Sequence, residues 1–345
     1  MMFAKYKTIF CDSVQALEYA YQNGLPKSAI VKSSAPAMLW DKKININNIE
    51  ARWTTGELEK FQEGVQELTE CVFDSILSIP GVEREIALSV TDAVYRFQKI
   101  IYKAACLDES DFTDPRLFIY VDGETGPSGN IMNSPWDQLL SPNPLFSMVN
   151  YTLRNDNWNQ LTTQGISYWS RYKIAGFETI VYRLAKKIMK RLPSWLFTKE
   201  LIVPNENELN IEIASSLALH GVRITELELD ESFSIVKNKI IEGNIPTLYE
   251  VVQPIMYERI EEWVTPSAVK ITMLLFNSHL QEQLKKFKLL VDKLENNIVK
   301  SHKRKQSVLM NAPGNIRGFA LSYVCRKNGI PIMSSQHGVT VEISK

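Results

Sequence analysis

A chain of 345 residues with 45% hydrophobic and 23% charged residues has the makeup of a folded globular protein, long enough for one large or two average domains. Lysine plus arginine balances aspartate plus glutamate at 39 each, so no global field draws the chain to nucleic acid, which is not an expected partner. No run approaches the roughly 18 apolar residues of a membrane span, and the amino terminus MMFAKYKTIF lacks the apolar core of a secretory signal.

In chain order, Tyr6 to Cys11 predicts a strand closed by Asp12-Ser13, Val14 to Asn23 a helix stopped by Gly24 and Pro26, and Ala29 to Lys32 a second strand. This is a Rossmann-like opening. Thr54, with Glu57 three residues on, forms a capping box for a long helix to about Leu77. A second helix, from about Val82 to Leu107, carries Ile86, Val90, Ala93, Val94, Phe97, Ile100 and Ile101 on one face, which reads as a core stripe. Residues 1 to 110 are therefore taken as a βαβ segment with a helical hairpin.

Leu117 to Asp122 begins a new α/β stretch as a buried-type strand running into DGETGPSGN, a long strand-end loop of the kind that carries function. Strands at 200–203 and 222–229, helices at 206–219 and 233–241, and a helical insertion at about 245–305 divided by Pro266 follow. Lys300 to Lys305 reads as a solvated basic helix end. Residues 111 to 345 are taken as one Rossmann-like segment. The fold class expected is α/β, a Rossmann-like parallel sheet with substantial helical insertions.

The four cysteines, Cys11, Cys71, Cys106 and Cys325, lie apart in apolar stretches and read as reduced, buried thiols. Histidines 220, 279 and 302 sit at helix ends or in polar helical sequence and are structural by default.

The last forty residues hold the strongest pattern. The apolar run Ser307 to Met310 enters a Gly/Pro/Asn turn, a helix begins near Ile316, and a second apolar run, Ile330 to Met333, ends in Gln336-His337-Gly338. Both turns fall at carboxyl ends of strands, where open α/β sheets place ligands. Gly314 leads into a helix amino terminus suited to an anion, and Arg317 in its first turn adds a charge that binds phosphate or carboxylate. His337 leaves a strand read as buried and is expected to face the ligand. Asp122, Glu124, Asp230, Glu231 and Asp12 end strands and are the candidate bases or nucleophiles, Asp122 first because its loop is longest and Asp230 second, with helix capping as the competing role. No second histidine or carboxylate stands at ligand spacing, so neither metal nor cofactor is expected. Motifs GxxxxGK[ST], GxSxG and GxGxxG are absent, which disfavours a nucleotide-binding hydrolase.

The segment from Ser307 to Lys345, with its "PGN-R-G", "NGIP" and "QHG" turns, resembles the bacterial surface-carbohydrate biosynthesis proteins, the capsule and lipopolysaccharide glycosyltransferases that include Kdo and sialic-acid-like transferases. The stretch from Tyr6 to Asp41 supports the resemblance. It implies the GT-B architecture, two Rossmann-like domains with the donor held mainly by the second. It also implies a nucleotide-sugar donor such as a CMP-ulosonate, a glycan or lipid-linked glycan acceptor, and a cytoplasmic protein with peripheral contact at the inner membrane face. It places Gln336 and His337 at the donor phosphate or acceptor, and Asn315, Arg317 and Gly338, on the same two turns, are read as further substrate-binding residues. Because the sequence given ends soon after Gly338, the expectation is one such domain here, truncated before a second, with weak donor binding. The alternative is a non-catalytic accessory protein of the same pathway.

Overall fold

In the computed structural model, the residues described are 2–11, 14–33, 36–39, 45–112, 116–121, 139, 146–151, 177–193, 196–204, 208–227, 239–298, 305–310 and 314–334. They form α/β architecture with two separate parallel sheets.

The first sheet grows from the amino-terminal βαβ unit. Strand β1 (Thr8–Cys11) is buried along its whole length, and α1 (Val14–Gln22) turns Ala16, Leu17 and Ala20 inward. A left-handed Gly24, φ 94°, closes α1, a conformation in which a Cβ would be strained. Strand β2 (Ile30–Ser33), the short α2 (Pro36–Leu39) and β3 (Ile46–Asn48) follow. Phe3, Tyr6, Ile9, Leu17, Val31 and Met38 are among the residues packing this core.

The chain then leaves the sheet for two long helices, α3 (Thr55–Leu77) and α4 (Arg84–Ala105). The capping box at Thr54 forms as expected: the hydroxyl accepts from the Glu57 N–H, and the Glu57 carboxylate accepts from the Thr54 N–H at 2.8 Å. That backbone N–H is the main reason the Glu57 carboxyl titrates below its ordinary value. Phe61, Val65, Leu68, Val72 and Ile76 make the buried stripe of α3 at three- and four-residue spacing. The whole expected face of α4, from Ile86 to Ile101, is buried.

After a 3-10 turn at Glu109–Phe112 the chain returns as β4 (Arg116–Val121) and β5 (Phe146–Tyr151). The strand order is β3-β2-β1-β4-β5 with every pair parallel, so β4 lies beside β1, Phe10 opposite Phe118. A boundary near residue 110 is therefore not where the sheet divides, because β4 and β5 complete the sheet that β1 began.

The second sheet contains β6 (Lys199–Val203), β7 (Arg223–Glu226), β8 (Lys305–Met310) and β9 (Ile332–Ser334), in the order β7-β6-β8-β9, again all parallel. The helices of this part of the chain are α5 (Phe177–Arg191), α6 (Glu208–Leu219), α7 (Lys239–Trp263), α8 (Pro266–Ile298) and α9 (Ile316–Lys327). Tyr182, Met189, Leu201, Val203, Ala214 and Ile224 are buried together between the sheet and helices α5 and α6. The chain divides into one compact unit of Met1–Ile79, Ala93–Thr163 and Thr247–Gln281 and a second of Pro80–Asp92, Gln164–Pro246 and Glu282–Lys345. Two sheets stand where the sequence suggested one.

One further difference has a local cause. Helix α7 begins at Lys239 and runs through Pro246 and Pro254, although an interior proline costs a helix about 3 kcal/mol. Leu248, Val252, Met256 and Ile260, all fully buried at four-residue spacing, offset that cost. Pro266 divides the helical insertion as expected: it occupies the first position of α8, where its missing N–H is not needed.

Among the cysteines, Cys71 is exposed on α3 while Cys11, Cys106 and Cys325 are buried. Residue 71 lies one position from the stripe residue Val72 and so turns to solvent. Burial pushes the Cys106 thiol up to about 11 and that of Cys325 up to about 12. A disulfide-exchange reagent at pH 8 should therefore titrate one fast thiol in the folded chain and four after denaturation. Cys71→Ser should abolish the fast phase, and a fast phase surviving that change would place the reactive thiol elsewhere.

Candidate functional site

Each sheet has a switch point, where successive strands depart in opposite directions and leave a crevice at their carboxyl ends. In the first sheet it falls between β1 and β4, in the second between β6 and β8. Val203 and Met310, both buried, are the last residues of the two strands flanking the second switch point.

From Met310 the chain passes to α9. Asn315 is the helix N-cap in extended conformation, φ −143° and ψ 168°. Its Oδ1 accepts from the Gly318 N–H at 3.0 Å and its carbonyl from the Phe319 N–H at 2.9 Å. The expected substrate contact from this side chain is thus replaced at its oxygen by a cap, a role worth about 1 kcal/mol. Ile316 and Arg317 contribute the first two amides of the helix, at its positive end, and the Arg317 side chain is exposed in that first turn.

Gly314 has no structural reason to be glycine among the described residues. Its φ is not left-handed, and a Cβ added there would meet nothing within 4 Å. Glycine at this place permits close approach of a ligand to the backbone.

The helix itself is firmly held. Gly318, Ala320, Leu321, Tyr323, Val324 and Cys325 are buried, and the Tyr323 ring meets Phe287 edge-on at 6.1 Å. At the opposite end Arg326 donates through Nε and Nη2 to the two carboxylate oxygens of Glu85, 2.9 Å each, and also pairs with Glu83. Lys327 pairs with Glu295 at 3.2 Å. Cations at the negative end of the helix favour the same arrangement.

Asp12, Asp122, Glu124, Asp230, Glu231, Gln336, His337 and Gly338 lie outside the described residues. The strands that precede them are described, and they separate the candidates. Strands β1 and β4, before Asp12 and Asp122, are neighbours at the switch point of the first sheet. Strands β7 and β9, before Asp230 and His337, are opposite edges of the second. Their strands do not share a single sheet, as the sequence reading assumed. Nor is β9 a buried strand: all three residues are half-buried or exposed, as suits a strand that is paired on one side only among the described residues. His220 is structural as expected, its Nδ1 2.8 Å from the Ser216 carbonyl at the end of α6.

Two polar groupings escaped the sequence reading. On the second sheet, buried Glu200 accepts from the Thr225 hydroxyl at 2.6 Å and from the Gln306 amide at 3.0 Å, across three neighbouring strands. It borders a cavity of about 650 Å³ lined also by Lys199, Lys305, Asn328 and Met333. The cavity opens at the amino ends of β6 and β8, away from the switch-point crevice. A polar residue at the second position of both KELIV and KQSVLM was the signal.

In the first sheet, Lys32 of β2 donates to both oxygens of fully buried Asp111, 2.7 and 2.9 Å, and reaches Asp108 at 3.4 Å. The Asp108 N–H donates to Asp111 at 3.0 Å, and Arg116 Nε stands 3.6 Å from it. This cluster ties the 3-10 turn to β2 and to the start of β4.

Among the described residues, no three histidine, cysteine, aspartate or glutamate side chains gather as metal ligands, and no helix is long and apolar enough to cross a membrane. Compared with protein-family models, with curated proteins and with solved structures, the chain has no match in any of the three.

Proposed function

We propose that the chain is a glycosyltransferase that moves a sugar from a nucleotide-activated donor, such as a CMP-ulosonate, to a growing bacterial surface polysaccharide at the cytoplasmic face of the membrane. The observation that supports it most is that one chain holds two parallel sheets, each with its own switch point. Two is the number that the resemblance of residues 307–345 implies, and the reason for expecting weak donor binding from a single sheet falls away.

In this reading the amides of Ile316 and Arg317 and the Arg317 guanidinium take the donor phosphate, with Gln336, His337 and Gly338 on the same βαβ unit. Asp122, following β4, removes the proton of the acceptor hydroxyl, with Glu124 holding the acceptor and Asp230 as the second candidate base. The acceptor oxygen bonds to the anomeric carbon as the bond to the leaving phosphate breaks. The charge that develops on the phosphate meets Arg317 and the helix amino terminus, and His337 can deliver a proton to it. Neither metal nor cofactor enters.

The test is release of free nucleotide from CMP-, CDP-, UDP- and GDP-sugars, with bacterial membranes carrying lipid-linked glycan as acceptor. Release dependent on both protein and acceptor for one donor is expected. No protein-dependent release from any donor would favour the non-catalytic reading.

A further inference from the structure

Helix α5 departs from the ordinary pattern of a surface helix. One arc, with Tyr182, Ala185 and Met189, packs on the second sheet. The next arc is aliphatic but uncovered: Ile180, Leu184 and Ile188 are 43, 57 and 48% exposed, and Leu192 and Leu196 continue beyond the helix end at 40 and 49%. Residues four apart advance by about 40°, so the three helical positions fall within an arc of about 80° and form one ridge. The third arc is basic. The helix FETIVYRLAKKIMKR carries five cations and a single carboxylate, and Lys187, Lys190 and Arg191 are exposed beside the ridge.

We infer that α5 is a docking ridge for an anionic lipid bilayer, lying flat with Ile180, Leu184 and Ile188 at the headgroup–acyl boundary and Lys187, Lys190 and Arg191 on lipid phosphates. Fifteen helical residues reach only about 22 Å, short of the roughly 30 Å hydrocarbon core, so the helix lies on the membrane and does not cross it. A nucleic-acid backbone would satisfy the cations and leave the aliphatic ridge in water. A second copy of the chain would cover the ridge while opposing two basic arcs. A bilayer with anionic headgroups satisfies both arcs at once. The inference does not depend on the transferase reading, since its measurement involves no sugar.

The experiment is flotation of the full chain with phosphatidylcholine vesicles, with and without phosphatidylglycerol. The chain should float with the anionic vesicles, remain behind with neutral ones, and be released as salt rises. Lys187→Gln with Arg191→Gln should weaken partitioning by roughly thirtyfold, from the usual contribution of a basic residue near an anionic surface. Leu184→Ser with Ile188→Ser should weaken it as well, with circular dichroism unchanged in both variants. Failure to float with anionic vesicles, or flotation untouched by either pair of changes, would overturn the inference. So would a dimer in lipid-free buffer that the Leu184→Ser, Ile188→Ser variant dissociates, since that would assign the ridge to a second copy.

Discussion

Replacing Asp111 by alanine is expected to cost about 3–5 kcal/mol of folding stability, as when one partner of a buried ion pair is removed. Its carboxylate has no exposure, and Lys32 and Arg116 beside it are 6 and 5% exposed. Without Asp111, Lys32 keeps the longer contact to Asp108, whose side chain is 72% exposed, and its place over the Phe10 ring, and two cations remain out of water. The loss is a desolvation penalty left uncompensated more than a bond removed. Changing both partners, Asp111→Leu with Lys32→Met, should therefore recover much of it. Urea unfolding measures this directly: a large fall in midpoint for the single change with partial recovery in the double is expected. A midpoint unmoved by Asp111→Ala would mean that the cluster behaves as an exposed pair.

The largest functional effect is expected at Asp122. As the base of the proposed transfer, Asp122→Asn should lower turnover on the order of a hundredfold or more, with an unchanged urea midpoint. Asp230→Asn should have a smaller effect on turnover. The distinction comes from topology. Asp122 follows β4, a strand at the switch point, while the strand before Asp230 is the outer edge of the other sheet. Full activity in Asp122→Asn together with loss in Asp230→Asn would reverse the assignment, and full activity in both would remove these carboxylates from the chemistry.

What the sequence makes legible is local. The capping box at Thr54 and Glu57, the stripe of α4 and the strand–turn–helix around Asn315 each rest on signals within a few residues of one another, and each forms as read. Partner choice in a parallel sheet is not local. Nothing in Leu117–Val121 says that it pairs with β1, more than a hundred residues earlier, and not with β6, so the two sheets merge into one when read from sequence. Burial of a short strand is also set by its neighbours. IPIM before the QHG turn looks like a core strand, yet among the described residues β9 has a partner on one side only. Pairing likewise hides Glu200 and Lys32, because a charged residue inside a strand declares its burial only when the atoms that satisfy it are in place. The aliphatic ridge of α5 is the converse: its apolar spacing reads as core, and only the fold leaves it uncovered.

The central claim, a nucleotide-sugar site built on the second sheet, is tested most directly by calorimetry of the native chain against CMP-, CDP-, UDP- and GDP-sugars. Binding of one nucleotide class is predicted, weakened about tenfold or more in Arg317→Ala by the loss of a charge-assisted contact worth about 1.5–3 kcal/mol. Binding of none of them, or binding that Arg317→Ala leaves unchanged, would contradict the account.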